Sequence, residues 1–302
     1  MANSIEVILN AASGSQRADE VCEILARVFK ASGRSFHISV GKGGDIGRIA
    51  KEKASSDCEI LVAGGGDGTI CGVAQASLGK GKLLGVLPLG TFNYFAKNLG
   101  IPVDPEGAAR VILNGKAVRA SVLDLDGRLV LNNASIGIHP AVLLKRRELY
   151  RRWGRNQLNA YLSVLLAAFQ PPPRLRVRLA TAEGEVVRET AAVMICSNAF
   201  QMKTFALAGM ECLETGKFAL YVVRMSGRAT IFRLGLRVVT RRLRLATDYE
   251  AICASEVSIE MLRRDRLRAA VDGELEVLQS PLRFRIAPQE LLVLVPPEET
   301  ST

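Results

Sequence analysis

Three short turns in the sequence hold residue types suited to binding phosphate. They are Asn10-Ala11-Ala12-Ser13-Gly14, Gly64-Gly65-Gly66-Asp67-Gly68-Thr69 and Pro88-Leu89-Gly90-Thr91-Phe92-Asn93, and each follows an apolar run. Successive glycines let backbone N–H groups converge on anionic oxygens, and a helix that starts at the turn adds partial positive charge. The hydroxyls of Ser13, Thr69 and Thr91 can donate as well. A single turn of this kind can be a tight turn and no more, whereas three at one sheet edge make a ligand site. A Walker A loop needs Lys and then Ser or Thr after its glycines, and a nicotinamide fold needs GxGxxG with a downstream acid; neither is present. Instead Asp67 stands among the glycines. A carboxylate there opposes phosphate unless it meets a metal ion or a substrate hydroxyl; the other reading is an Asp that stabilises the turn. Far along the chain, Val271-Asp272-Gly273-Glu274 is a second acidic-glycine group. By spacing alone it reads as a plain hairpin turn.

The elements around these turns set their geometry. Apolar runs at 5–9, 36–40, 60–63 and 83–87 read as strands. Between and after them come helical patterns over 21–29, 45–53, 69–78, 92–99 and 105–113, the first with Val21, Ile24, Leu25, Val28 and Phe29 on one face. Strands alternating with helices predict a doubly wound parallel sheet over residues 1–120, with all three turns at the carboxyl edge where such folds bind ligands. Near Ser121 the pattern changes. Leu175, Val177 and Leu179 alternate with Arg174, Arg176 and Arg178, and Leu282, Phe284 and Ile286 with Arg283 and Arg285. That period of two predicts an antiparallel β-sandwich domain over 121–302. Further strands are expected at 192–196, 218–224, 257–260 and 291–295, with helices at 158–169 and 231–243 and the prolines at 171–173 closing the first.

Composition bounds the function classes. A chain of 302 residues, 48% hydrophobic and 23% charged, is long enough for two cores and excludes a mostly disordered protein. The formal net charge is +10, and most of the excess lies beyond residue 120, so an anionic partner is expected. Six cysteines without a CxxC pair, and two histidines, His37 and His139, offer no zinc-ligand spacing and read as reduced thiols of a cytosolic protein. Met1 leads straight into the first strand pattern, so no signal peptide is expected. The longest apolar stretch, 158–169, is too short to cross a bilayer and reads more readily as core than as lipid pocket.

The set GGGDGT, then PLGTFNYFAKNLGIP over 88–102, then VDGE over 271–274 resembles the diacylglycerol kinase catalytic family, which includes bacterial lipid kinases and the sphingosine and ceramide kinases. The motifs fall in the same order along nearly the whole chain. The resemblance implies an ATP-dependent lipid kinase with a cleft between an NAD kinase-like α/β domain, 1–120, and a β-sandwich lipid-substrate domain, 121–302. It implies that Gly65, Gly66, Asp67, Gly68 and Thr69 wrap the ATP phosphates, with Asn10, Ser13 and Gly14 at the first nucleotide turn and Thr91 and Asn93 at the third. It implies Glu274 as proton acceptor with Asp272 beside it, and Asp67 as a residue holding Mg²⁺-ATP or the substrate hydroxyl. The sequence departs from the family pattern at Ala11, at Cys71-Gly72 and at Tyr94, and Glu214-Thr215-Gly216 stands where some bacterial members have an Asp-Asp-Gly metal turn.

Two basic clusters bear on partners. Arg233, Arg237 and Arg241 recur on one helical face with Arg242 and Arg244 adjoining, and Lys145, Arg146, Arg147, Arg151, Arg152 and Arg155 surround Tyr150 and Trp153. A solvated face explains either cluster; an anionic membrane surface explains both together with Ile231, Phe232 and Leu234. No nucleic-acid motif is present, and a homodimer stays open. The expected protein is a cytoplasmic, peripherally membrane-associated enzyme using Mg²⁺-ATP on a lipid hydroxyl, with diacylglycerol-type and sphingoid alcohols both open. The alternatives are a kinase of a soluble substrate, of the NAD kinase type, and a catalytically weak lipid-binding adaptor.

Overall fold

The computed structural model describes residues 4–13, 18–154, 156–168, 173–224, 227–240, 242–243, 247–287 and 291–297. The chain divides into two compact units: Met1–Ser121 with Ala287–Thr302, and Val122–Ile286. In the first, strand and helix alternate as β1 (Ser4–Asn10), α1 (Ala18–Ala31), β2 (Ser35–Gly41), α2 (Asp45–Ala54), β3 (Ile60–Gly65), α3 (Asp67–Ser77), β4 (Leu83–Pro88), α4 (Tyr94–Asn98), α5 (Pro105–Asn114) and β5 (Lys116–Ala120). Strands β2-β1-β3-β4 lie in that spatial order and run parallel. Every residue of β3 is buried, as a central strand covered on both faces requires. Helix α1 carries Asp19 and Glu20 in its first turn and Lys30 in its last, matching the helix dipole, and buries Val21, Leu25 and Phe29. Asp104 caps α5 by accepting the Gly107 N–H at 2.6 Å, and Pro105 opens the helix.

The second unit holds β6 (Leu123–Leu125), β7 (Arg128–Val130), β8 (Asn133–Gly137), α6 (Ile138–Trp153), α7 (Gln157–Ala168), β9 (Leu175–Thr181), β10 (Gly184–Cys196), α8 (Ala199–Phe205), α9 (Met210–Glu214), β11 (Phe218–Arg224), α10 (Arg228–Val239), β12 (Tyr249–Ala254), β13 (Glu256–Met261), β14 (Arg266–Val271), β15 (Glu274–Gln279) and β16 (Leu282–Ile286). These strands form one antiparallel sheet of eleven. Its pivot is β10. The first half of that strand pairs with β9; beyond an irregularity at Thr190–Val193 the second half pairs with β8 and β11. A strand shared in this way lets a sheet fold over on itself. One core follows, in which Ile136, Val193, Phe218 and Val271 pack with Leu179, Ile259, Leu282 and Phe284.

The structure differs from the sequence reading at three places. The last strand, β17 (Leu291–Val295), had been grouped with the second domain; it pairs parallel with β4 and antiparallel with β5, in the first sheet. Its run Leu-Leu-Val-Leu-Val lacks the polar alternation of a one-sided strand, and four of its five residues are buried. Cys212 and Cys253 form a disulfide where six reduced thiols were expected; Cys22, Cys58, Cys71 and Cys196 stand outside it. Helix α9 packs on β11 and β12, which brings together two cysteines 41 residues apart. Finally, the helix expected as core, α7, buries Asn159, Ser163 and Ala167 and exposes Leu158 and Leu166. Among the residues singled out earlier, Gly14, Arg155, Phe169, Pro171, Pro172, Arg241 and Arg244 lie outside the described residues.

Candidate active site

The three glycine-bearing turns meet at the carboxyl ends of β1, β3 and β4. Asn10, ending β1, donates from Nδ2 to Thr69 Oγ1 at 2.9 Å and accepts the Ala12 N–H at 3.0 Å, which ties the first turn to the start of α3. The Gly66 N–H donates to Ser13 Oγ at 3.4 Å, and the Leu89 N–H to the Gly65 carbonyl at 2.9 Å, joining the second turn to the third. Glycine is required by these approaches. A Cβ on Gly90 would fall 2.6 Å from Gly66 Cα, and one on Gly65 would fall 2.6 Å from the Thr69 side chain. The first i→i−4 bond of α3 runs from the Ile70 N–H to the Gly66 carbonyl, 3.0 Å. The amides of Gly68 and Thr69 therefore lack an intrahelical acceptor and form the positive end of the helix dipole. No Lys or Arg stands within the second turn, 64–69, so backbone amides and hydroxyls are its phosphate-seeking donors.

Two polar residues of these turns hold the scaffold. Asn93, buried and with φ of 53°, accepts the Gly90 N–H at 2.9 Å and donates to the carbonyls of Pro88 (3.1 Å) and Gly90 (2.9 Å). Its amide is spent on shaping the third turn, and its left-handed backbone delays the helix expected from 92 to Tyr94. Asp67, half-buried, accepts the Phe95 N–H at Oδ1, 3.0 Å away, and so anchors the start of α4. A carboxylate is a hard oxygen donor of the kind Mg²⁺ prefers, so Asp67 combines a structural bond with a negative charge beside the amide cradle. The donor set fits a magnesium-nucleotide.

In the second unit Asp272 and Gly273, with φ of 46° and 83°, are the two central residues of the hairpin joining β14 to β15. The pair has the positive φ angles of the common two-residue hairpin turn. The Asp272 carboxylate also accepts three backbone amides, from Leu131 (2.8 Å), Asn132 (2.7 Å) and Asn133 (3.2 Å). The DGE triplet is a hairpin turn, and its Asp clamps the β7–β8 connection. Glu274 begins β15 with an exposed side chain whose Oε2 accepts from Arg147 Nη2 of α6 at 2.6 Å.

Comparison with known proteins adds an independent line. Residues 4–125 match the diacylglycerol kinase catalytic domain model, a span that includes all three turns. A Pseudomonas aeruginosa protein named "Probable lipid kinase YegS-like" is 36% identical over 138 residues, 45% of this chain and 45% of its own length. A protein of the same name from Chromohalobacter salexigens is 37% identical over 138 residues, 43% of each chain. The matched stretches thus span less than half the length of these relatives. At the level of fold, a diacylglycerol kinase structure from Bacillus anthracis superposes over 98% of this chain and 97% of its own with a TM-score of 0.70 at 16% identity. A second structure from the same strain reaches 0.78 at 18% identity, covering 98% of both chains.

Within the stretch that matches this domain model, Asn10, Ser13, Gly65, Gly66, Asp67 and Thr69 come together, with Gly68 in the first turn of α3. Thr91 is exposed on the third turn. Outside that domain, Thr215 turns its hydroxyl to the carbonyls of Glu211 (3.1 Å) and Cys212 (3.0 Å), closing α9. Sequence reasoning missed a layer of polar groups beneath the DGE turn. Asn198 caps α8 and donates to Asn132 Oδ1 at 2.6 Å, while Asn133 donates to Gln201 Oε1 at 2.9 Å. Burial pushes the neighbouring Cys196 thiol up to about 12. The available signal was Asn132-Asn133 standing directly after the apolar run 129–131 and before the strand pattern Ala134-Ser135-Ile136: two amides within a buried segment must find partners.

His139, also missed, lies 2.6 Å from Ser135 Oγ through Nδ1. Burial, with a smaller contribution from Arg146, pulls its pKa from 6.5 down to about 4. The imidazole is neutral in the folded protein and takes a proton more readily when unfolded. Its contribution to stability is therefore complete above about 6.5 and is lost as the pH falls toward about 4. The slope is at most about 1.4 kcal/mol per pH unit. His139→Gln is expected to flatten the stability profile across that window in denaturant titrations; an unchanged acid limb would show that His139 does not supply it.

Proposed function

We propose that the protein is an ATP-dependent lipid kinase that phosphorylates a lipid alcohol at an anionic membrane surface on the cytoplasmic side. The observation that carries this reading is the amide cradle of Gly66–Thr69 at the start of α3, closed by Ser13 and Gly90, within a diacylglycerol kinase catalytic domain. Bound Mg²⁺-ATP would supply the phosphoryl group and the charge neutralisation that phosphoryl transfer demands. The residues then divide the remaining work. The amides of Gly68 and Thr69 and the hydroxyls of Ser13 and Thr69 hold phosphate oxygens. Asp67 holds the metal-bound end or orients the hydroxyl. Glu274 takes the hydroxyl proton; a lipid alcohol is a weak acid, so that transfer comes late and a positioned carboxylate accelerates it. Asp272, its oxygens engaged by three amides, fixes the turn that presents Glu274 and acts as a positioning residue.

The test is turnover of ATP by the full chain with labelled γ-phosphate, with and without a panel of dispersed lipid alcohols. The expected result is label in a lipid product. Label in a soluble dinucleotide would replace the reading with a soluble-substrate kinase, and no turnover with any acceptor would leave a lipid-binding adaptor.

A further inference from the structure

Helix α7 has its polarity reversed relative to a surface helix of a soluble protein. Its twelve residues carry no charge. The face turned inward is Asn159, Ser163 and Ala167, spaced by four, while Leu158 is 75% and Leu166 39% exposed, with Leu162 and Leu165 half-buried between them. Neighbouring helices α6 and α10 pack against α7. Side-chain bonds tie the first turn of α7 to the end of α6. Asn159 Nδ2 donates to the carbonyls of Trp153 (3.3 Å) and Gly154 (2.9 Å), and the Asn159 N–H donates to Asn156 Oδ1 (2.8 Å). Trp153 is 59% exposed at the end of α6, directly after the exposed Arg151 and Arg152. On α10, by contrast, Arg233 and Arg237 converge on Asp248 at 2.9 and 3.7 Å, so part of the charge expected to meet a membrane there is met within the protein.

We propose that the end of α6 and the outer face of α7 form a membrane-insertion edge whose occupant is an anionic lipid bilayer. Trp153, Leu158 and Leu166 enter the boundary between headgroups and acyl chains, and Arg151 and Arg152 meet lipid phosphates. An uncharged apolar face beside a basic helix end is the pattern of an interfacial helix. Twelve residues rise about 18 Å, too little to span a hydrocarbon core of about 30 Å, and no described helix is long and apolar enough to cross a membrane. The helix therefore lies in the surface. The inference rests on the reading that the substrate is a membrane lipid and adds which element meets the bilayer.

Trp153 is the only tryptophan in the chain, so the full-length protein carries its own reporter. Titration with phosphatidylglycerol vesicles is expected to shift its emission to the blue, with quenching by acyl-brominated lipid. Phosphatidylcholine vesicles and high salt are expected to weaken both effects. Leu158→Asp with Leu166→Asp places charge on exposed positions and is expected to lower vesicle partitioning about tenfold or more. Phosphorylation of a short-chain, detergent-dispersed lipid alcohol should stay unchanged. Absence of shift and quenching, or unchanged partitioning of the double variant, would overturn the inference. A blue shift on raising protein concentration without lipid would overturn it in favour of a second copy of the chain. A kinase reading that fails shows separately, as no product in detergent while the vesicle response persists.

Discussion

Asp67→Asn is expected to remove most lipid phosphorylation while leaving the fold intact, a loss of at least about 10²-fold in kcat, the scale on which a single preorganised electrostatic group acts in a transition state. The substitution separates two functions that share one side chain. Asp67 Oδ1 accepts the Phe95 N–H at 3.0 Å, and an asparagine carbonyl oxygen can accept the same bond. The anchor of α4 is thereby kept and only the charge is lost. Asp67→Ala removes both, so it should lower thermal stability as well as turnover, by the 1–3 kcal/mol or so that an unsatisfied buried donor costs. Measuring kcat, KM for ATP and unfolding midpoint on both variants decides the role. If Asp67→Asn turns over at the wild-type rate, Asp67 is a turn residue and the metal or hydroxyl assignment is wrong.

Much of this site was legible because its chemistry is carried by backbone. Glycine spacing fixes where amides converge, and strand–helix alternation fixes that turns after β1, β3 and β4 share an edge. Asn10, Gly66 and Asp67 followed from those two facts. What lay hidden was the second task of each polar residue. Asn93 stands in a motif that reads as nucleotide-binding, yet its amide is consumed by Pro88 and Gly90. Asp272 reads as chemistry or as a turn and is a clamp on a loop some 140 residues earlier in the chain. Long-range hydrogen bonds leave no periodic trace, so spacing cannot reveal them. The same limit explains β17: its apolar run announces a strand, while nothing local says which sheet receives it. In α7 the sequence shows apolar residues at helical spacing but not that the polar stripe of Asn159 and Ser163 is the one turned inward.

Glu274→Gln is expected to lower kcat by about 10²–10⁴-fold, the contribution of a positioned general base, with KM for ATP little changed. The fold should survive. The Glu274 side chain is 61% exposed, and its pair with Arg147 is screened by water, so losing it costs about 0–1 kcal/mol. Glutamine keeps the size of the side chain and an oxygen to accept from Arg147, which confines the change to charge and proton acceptance. Arg147→Ala is the companion variant, because it frees the carboxylate while leaving it in place. A base that Arg147 only orients should show a modest fall in kcat with Arg147→Ala, partly restored by Arg147→Lys, against the deep loss with Glu274→Gln. A wild-type rate in Glu274→Gln would remove it from catalysis. A loss expressed wholly in KM for ATP would make it a nucleotide or metal ligand instead. Asp272 is then a poor replacement as base, because its two oxygens already receive the amides of Leu131, Asn132 and Asn133. Asp272→Asn would leave one of those donors short of an acceptor, and its loss of activity should come with a lower unfolding midpoint, which Glu274→Gln should not show.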